Sequence, residues 1–152
     1  MQDDLDTSRD FFAQGGTTQA LMNLNPADLD QVYAYACRLY DSSDYAAAKR
    51  FSLLLSCLSH WQFDYWLARG QCCQRLGEHP EAAFSFGQAG PLRFDDPRPA
   101  CLAGLSYQLS GQRDKGPKAF SIAITLCTDK PEYAALRAKI VRYPLSRKET
   151  TP

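Results

Sequence analysis

The sequence predicts an all-α fold, a stack of helix-turn-helix pairs that repeats every 34 residues. Three observations predict it. Residues 60–86, HWQFDYWLARGQCCQRLGEHPEAAFSF, read as two amphipathic helices around a tight turn. Residues of matching character recur at that spacing on both sides: Ala36, Gly70 and Gly104; Val32, Trp66 and Ala100; Ser43, Gly77 and Gly111. Ala48, Ala82 and Gly116 hold a small position in the second helix, followed by Ser52, Phe86 and Phe120, then Leu55, Ala89 and Ala123. Two short helices cannot bury an apolar face alone, so each pair needs its neighbours.

A helix pair of this length is the unit of a tetratricopeptide (TPR) repeat. Three tandem repeats are expected at 29–62, 63–96 and 97–130. A helical segment at 1–28 precedes them. A capping helix at 131–143 and a disordered tail at 144–152 follow.

In chain order, Thr7 or Ser8 caps a short helix that carries Phe11 and Phe12 and breaks at Gly15-Gly16. A second short helix runs from Thr17 or Thr18 to about Met22. Pro26 opens the first helix of repeat one, where no backbone donor is needed. Asp41-Ser42-Ser43-Asp44 is the turn. The partner helix, about Tyr45 to Leu58, puts Ala48, Phe51, Leu54, Leu55 and Leu58 on one apolar stripe. In repeat two, Gly70 is small so that a facing element can come close, and Gly77 ends the helix where a positive φ suits glycine. Its partner runs from about Pro80 to Ala89 and stops at Gly90-Pro91. In repeat three, Pro99 starts a helix with Leu102, Leu105 and Leu109. Pro117 requires the partner to begin near Asp114 or later, since proline is tolerated only in the first turn. Thr128 or Asp129 caps the last helix, about Pro131 to Arg142, which carries Tyr133, Leu136, Ile140 and Val141.

Seventeen basic and seventeen acidic residues cancel, which argues against a nucleic-acid binder. The ends are uneven. Asp3, Asp4, Asp6 and Asp10 make the start acidic, and Arg137, Lys139, Arg142, Arg147 and Lys148 make the end basic. MQDDLDTSRD lacks the features of a secretory signal, and no run approaches the ~18 apolar residues of a membrane span. A cytoplasmic chain without stable membrane insertion is expected. The six cysteines form no C-x-x-C pair, and His60 and His79 lie outside any ligand spacing. Free packing thiols, no metal and no cofactor are therefore expected. There is no nucleophile elbow, phosphate-binding glycine loop or H-E-x-x-H. Asp95-Asp96 reads as a solvated loop. No enzyme activity is expected.

In a TPR stack the first helix of each repeat lines the concave face. Helical spacing points repeat positions 5, 9 and 12 into it. These are Tyr33, Cys37 and Tyr40; Leu67, Gln71 and Gln74; Cys101, Leu105 and Gln108. Position 13 adds Asp41, Arg75 and Leu109. The result is an apolar, aromatic groove with interspersed amides, without clustered lysines. It suits an extended peptide with spaced apolar side chains. Tyr33, Cys37, Tyr40, Leu67, Gln71, Gln74, Cys101 and Leu105 are the expected peptide-binding residues. Leu102 is expected inside the stack. Phe11 and Phe12 have too little local core and are expected to pack on the stack or on a second subunit.

FFAQGGTTQALMNL, LDQVYAYACRLYDSSDYAAAKRFSLLL and HWQFDYWLARGQCCQRLGEHPEAAFSFGQA resemble the class II type III secretion chaperones, the LcrH/SycD/CesD type. The resemblance covers about residues 8–143. It implies a bacterial cytosolic chaperone that binds hydrophobic translocators before export. The cargo's N-terminal region would lie extended in the TPR groove, with apolar anchors in pockets built partly by two tyrosines of the first repeat. Tyr33 and Tyr40 stand at the matching positions. The resemblance also implies a homodimer formed through the N-terminal segment. In some members it implies binding of a transcriptional activator, and a scaffold serving such an activator is the alternative reading. The sequence departs from the family pattern at Gly116-Pro117, which bears on the rigidity of the third repeat, and at His79, where repeat one has Tyr45.

Overall fold

Helix starts and stops follow from the residues at their ends. Asn25 caps α1 (Pro26–Asp41) in a reciprocal box: its side chain accepts from the Asp28 N–H at 3.0 Å, and the Asp28 carboxylate accepts from the Asn25 N–H at 3.1 Å. Asp44 caps α2 (Tyr45–Leu58) by accepting from the Ala47 N–H at 3.2 Å. The remaining helices are α3 (Phe63–Arg75), α4 (His79–Ala89), α5 (Arg98–Leu109), α6 (Lys115–Cys127) and α7 (Ala134–Arg142). The protein is seen in a computed structural model that describes residues 25–143. No strand occurs among the described residues. The all-α fold is therefore as expected. The two expected short helices before Asn25, with Phe11 and Phe12, and the tail from Pro144 lie outside the described residues.

Each helix packs on the next in sequence, and the first helices of successive pairs also touch, α1 to α3 and α3 to α5. The core explains why no pair stands alone. Leu29, Leu55 and Leu58 of the first pair close over Tyr65 of the second. Phe63, Leu67 and Phe86 of the second pair close over Ala103 of the third. Phe120 and Ala123 close over Ile140 of α7, which seals the last pair. Every core thus borrows a residue from the following element.

The repeated glycines have a specific cause. A Cβ on Gly70 would sit 2.5 Å from the Phe86 ring, and one on Gly104 would sit 2.8 Å from the Phe120 ring. In the first pair the same two positions are Ala36 and Ser52, both buried, so a smaller partner leaves room for a methyl group.

The three turns that join the helices of each pair have a residue in the left-handed region: Ser43 (φ 65), Gly77 (φ 77) and Gly111 (φ 78). Only glycine adopts it without strain, and Ser43 is the exception. Ser43→Gly is expected to raise stability by up to about 1 kcal/mol, read as a higher melting temperature. An unchanged or lower melting temperature would contradict this account of the turn.

Four details differ from expectation. Leu54 is exposed, because the buried stripe of α2 runs instead through Ala48, Ser52, Leu55 and Ser56. Gly90-Pro91 does not stop the chain's helical path; residues Gly90–Arg93 continue it as one tighter 3-10 turn. Pro131–Tyr133 likewise form a 3-10 turn, so the last α-helix begins at Ala134. Asp96 is not solvated. It is 8% exposed and grips the Arg98 guanidinium at two points, at 2.7 Å from Nη2 and 3.0 Å from Nε. Burial pushes the Asp96 carboxyl up, but its bonds to Arg98 outweigh that and hold it below the usual carboxylate range. The Arg98 guanidinium also lies 5.4 Å from the centre of the Phe63 ring, tying the α4–α5 connection to α3.

Candidate peptide-binding site

Helical spacing brings Tyr33, Cys37 and Tyr40 to one face of α1, opposite Ala68 and Gln71 of α3. With Ala36, Asp41, Ser52 and Cys72, they line a cavity of about 90 Å³ between the first two pairs. Four of the expected site residues, Tyr33, Cys37, Tyr40 and Gln71, therefore meet in one place. The walls are mostly apolar, with a few polar groups that can orient a guest.

Both tyrosines are held by neighbours from the second pair. The Tyr33 ring lies 5.4 Å from that of Tyr65. Burial, reinforced by the Cys37 thiol beside it, pushes the Tyr33 phenol well above its ordinary value. It stays a neutral hydrogen-bonding group throughout the physiological range. The Tyr40 hydroxyl accepts from Arg75 Nε at 3.1 Å. The Arg75 guanidinium lies 5.9 Å from the Tyr40 ring centre and 5.7 Å from that of Tyr45. Tyr40 and Tyr45 meet edge to face at 5.1 Å. This end of the site is thus oriented before any guest arrives.

The other expected residues sit elsewhere. Leu67 is buried in the core with Phe63 and Phe86. Gln74 Nε2 donates to the Leu102 carbonyl at 3.0 Å and to Ser106 Oγ at 2.9 Å, so it bridges α3 and α5. Cys101 and Leu105 are half-buried against Phe120 and Ile140. Leu102 is also half-buried, packed against the middle core as expected. Ala68 and Ser52 were not among the expected lining residues. Ala68 lies one residue past an expected position, and Ser52 comes from a second helix, which the first-helix rule leaves out.

No family model matches the chain. Low calcium response locus protein H of Yersinia pseudotuberculosis is 28% identical over 130 residues, which are 85% of this chain and 77% of that protein. The Yersinia enterocolitica type III secretion translocator chaperone SycD superposes with a TM-score of 0.74 at 25% identity, over 83% of this chain and 94% of that one. The chain is homologous to low calcium response locus protein H. PcrH, solved with the chaperone binding region of PopD, superposes with a TM-score of 0.75 at 26% identity, over 78% of this chain and 89% of that one. PcrH with the chaperone binding region of PopB gives 0.74 at 26%, over 78% and 95%. The homology and the shared fold cover the helix stack that carries the tyrosine cavity.

The cysteines of this homologue sit on its helices, most of them as packing residues. Cys72, Cys73 and Cys127 are buried and Cys57 is exposed. Burial pushes the Cys72, Cys73 and Cys101 thiols up to about 11, which suppresses the reactive thiolate. Alkylation of the native protein near neutral pH, followed by peptide mapping, is expected to label Cys57 first and Cys72 and Cys73 last. Early labelling of Cys73 would contradict the packing. Cys73, Glu78 and Glu81 place three donor atoms within 4.8 Å of one another. Lys49 already pairs with both carboxylates, in a short contact to Glu78 and at 3.3 Å to Glu81. This cluster therefore reads as a strut between α2 and α4.

Proposed function

We propose that this protein is a type III secretion chaperone that binds a hydrophobic translocator before export. The carrying observation is its homology to low calcium response locus protein H and its common fold with the translocator chaperone SycD and with PcrH, the latter solved with the chaperone binding regions of PopD and PopB. The cargo's extended segment lies along the first helices, with one apolar anchor in the cavity of Tyr33, Cys37, Tyr40 and Gln71. The role is binding, not catalysis, and the site of action is the bacterial cytoplasm. No helix among the described residues is long and apolar enough to cross a membrane.

The energetics suit a temporary hold. Each anchored apolar side chain contributes about 1.5–3 kcal/mol. Ordering the cargo segment takes back about 2–5 kcal/mol. A few anchors leave a moderate affinity, which permits release at export. A second copy of the chain joins through the segment that holds Phe11 and Phe12. SycD has been solved in an alternative dimer.

Co-expression with a hydrophobic translocator from the same genome tests the proposal. The translocator is expected in the soluble fraction only when this protein is present, and the two are expected to co-purify. A translocator equally soluble alone would contradict it.

A further inference from the structure

The two inter-repeat grooves on the second-helix side differ, although their residues correspond at a spacing of 34. Between α2 and α4 the groove is filled. Trp66 and Phe84 meet edge to face at 6.2 Å, and the Arg69 guanidinium lies 5.2 Å and 5.9 Å from their ring centres. Between α4 and α6 the positions of Trp66 and Arg69 are taken by Ala100 and Ala103. Those of Leu53 and Ser56 are taken by Gly87 and Gly90. Small residues thus leave an open apolar groove of about 360 Å³, floored by α5 and edged by Lys115, Lys118 and the exposed Ile122.

We propose that this groove receives the chain's own segment Leu5–Phe12, LDTSRDFF. The groove lining contains two lysines and no carboxylate. Neither lysine is in an ion pair with another described residue. An apolar floor with a cationic edge selects large apolar side chains flanked by acids. Leu5, Phe11 and Phe12 beside Asp6 and Asp10 have that pattern, and with Arg9 between the two acids the segment still carries net negative charge. The other end of the chain, LSRKETTP, does not, since Arg147 and Lys148 repel the lysine edge. Residues 13–25 separate Phe12 from the start of α1, and fully extended they span up to about 45 Å. The groove shares no lining residue with the tyrosine cavity.

The test uses the full chain with Phe12→p-benzoylphenylalanine, photolysis and peptide mapping. Crosslinks are expected on the peptides holding Gly87–Gly90 and Lys118–Ile122. A product of two chains says that the neighbouring copy supplies the segment, and a product of one chain says that the same copy does and that the second copy joins elsewhere; either supports the docking. Gly87→Leu copies Leu53 into the open groove, and a Cβ on Gly87 meets nothing within 4 Å, so the fold is expected to tolerate it. It is expected to cut the crosslink yield by about tenfold or more, the shift that losing one buried apolar side chain produces. The pair Lys115→Glu and Lys118→Glu is expected to cut it too, and adding Asp6→Lys and Asp10→Lys to restore it. Circular dichroism checks that helicity is kept. Crosslinks elsewhere, no crosslinks, or a yield unaffected by Gly87→Leu would overturn the proposal.

Discussion

Phe86→Ala is expected to lower stability by about 3–5 kcal/mol, with a fall in melting temperature on the order of 10–20 °C. Phe86 is one of the largest fully buried side chains and lies at the centre of the middle core. Its ring fills the space that Gly70 leaves open. Truncation removes apolar burial and leaves a cavity that rigid helices on both sides cannot close. The double change Gly70→Leu with Phe86→Ala tests the pairing, since it returns volume from the other side. Partial recovery over Phe86→Ala alone is expected, measured by denaturant unfolding. A single mutant as stable as the native chain would mean that the middle core is not what joins the repeats.

Ala48→Asp is expected to unfold the first pair altogether. Ala48 has no exposed surface, where α2 packs against its neighbours. A carboxylate there must be desolvated without a partner, a cost of several kcal/mol, comparable with the whole stability of a small domain. Helical circular dichroism and protease resistance are both expected to fall. Because Tyr65 of α3 completes the first core, the damage is expected to spread into the second pair. Retained helicity with native protease resistance would contradict the packing at Ala48.

The fold was legible because it is repetitive. Gly70 with Phe86 and Gly104 with Phe120 each carry one close approach, and the 34-residue spacing exposes it. The turns were legible for a similar reason, since two of the three turns within the helix pairs carry a glycine at positive φ. The site was less legible. Helical spacing names the direction of a side chain at an ideal helix, but not what the next helix covers. Leu67 has the right spacing, yet Phe63 and Phe86 enclose it. Gln74 has it too, yet α5 offers the Leu102 carbonyl and Ser106 within reach. The bond from Arg75 to Tyr40 crosses 35 residues and depends on how the pairs stack. Asp96 looked like a loop residue because its partner, Arg98, is only two residues on and its burial comes from the tertiary fold.

The central claim is that the Tyr33–Tyr40 cavity holds an apolar anchor of the cargo. Isothermal titration with a peptide from the translocator's N-terminal region measures it, beside thermal melts of each variant. Tyr40→Ala removes ring area and the hydroxyl that Arg75 holds. Tyr33→Ala removes the ring that faces Tyr65 and is expected to cost some stability as well. Each is expected to weaken binding by about 1–3 kcal/mol, with the helical signal kept. Native affinity in both variants, with intact folds, would contradict the assignment of the cavity to cargo.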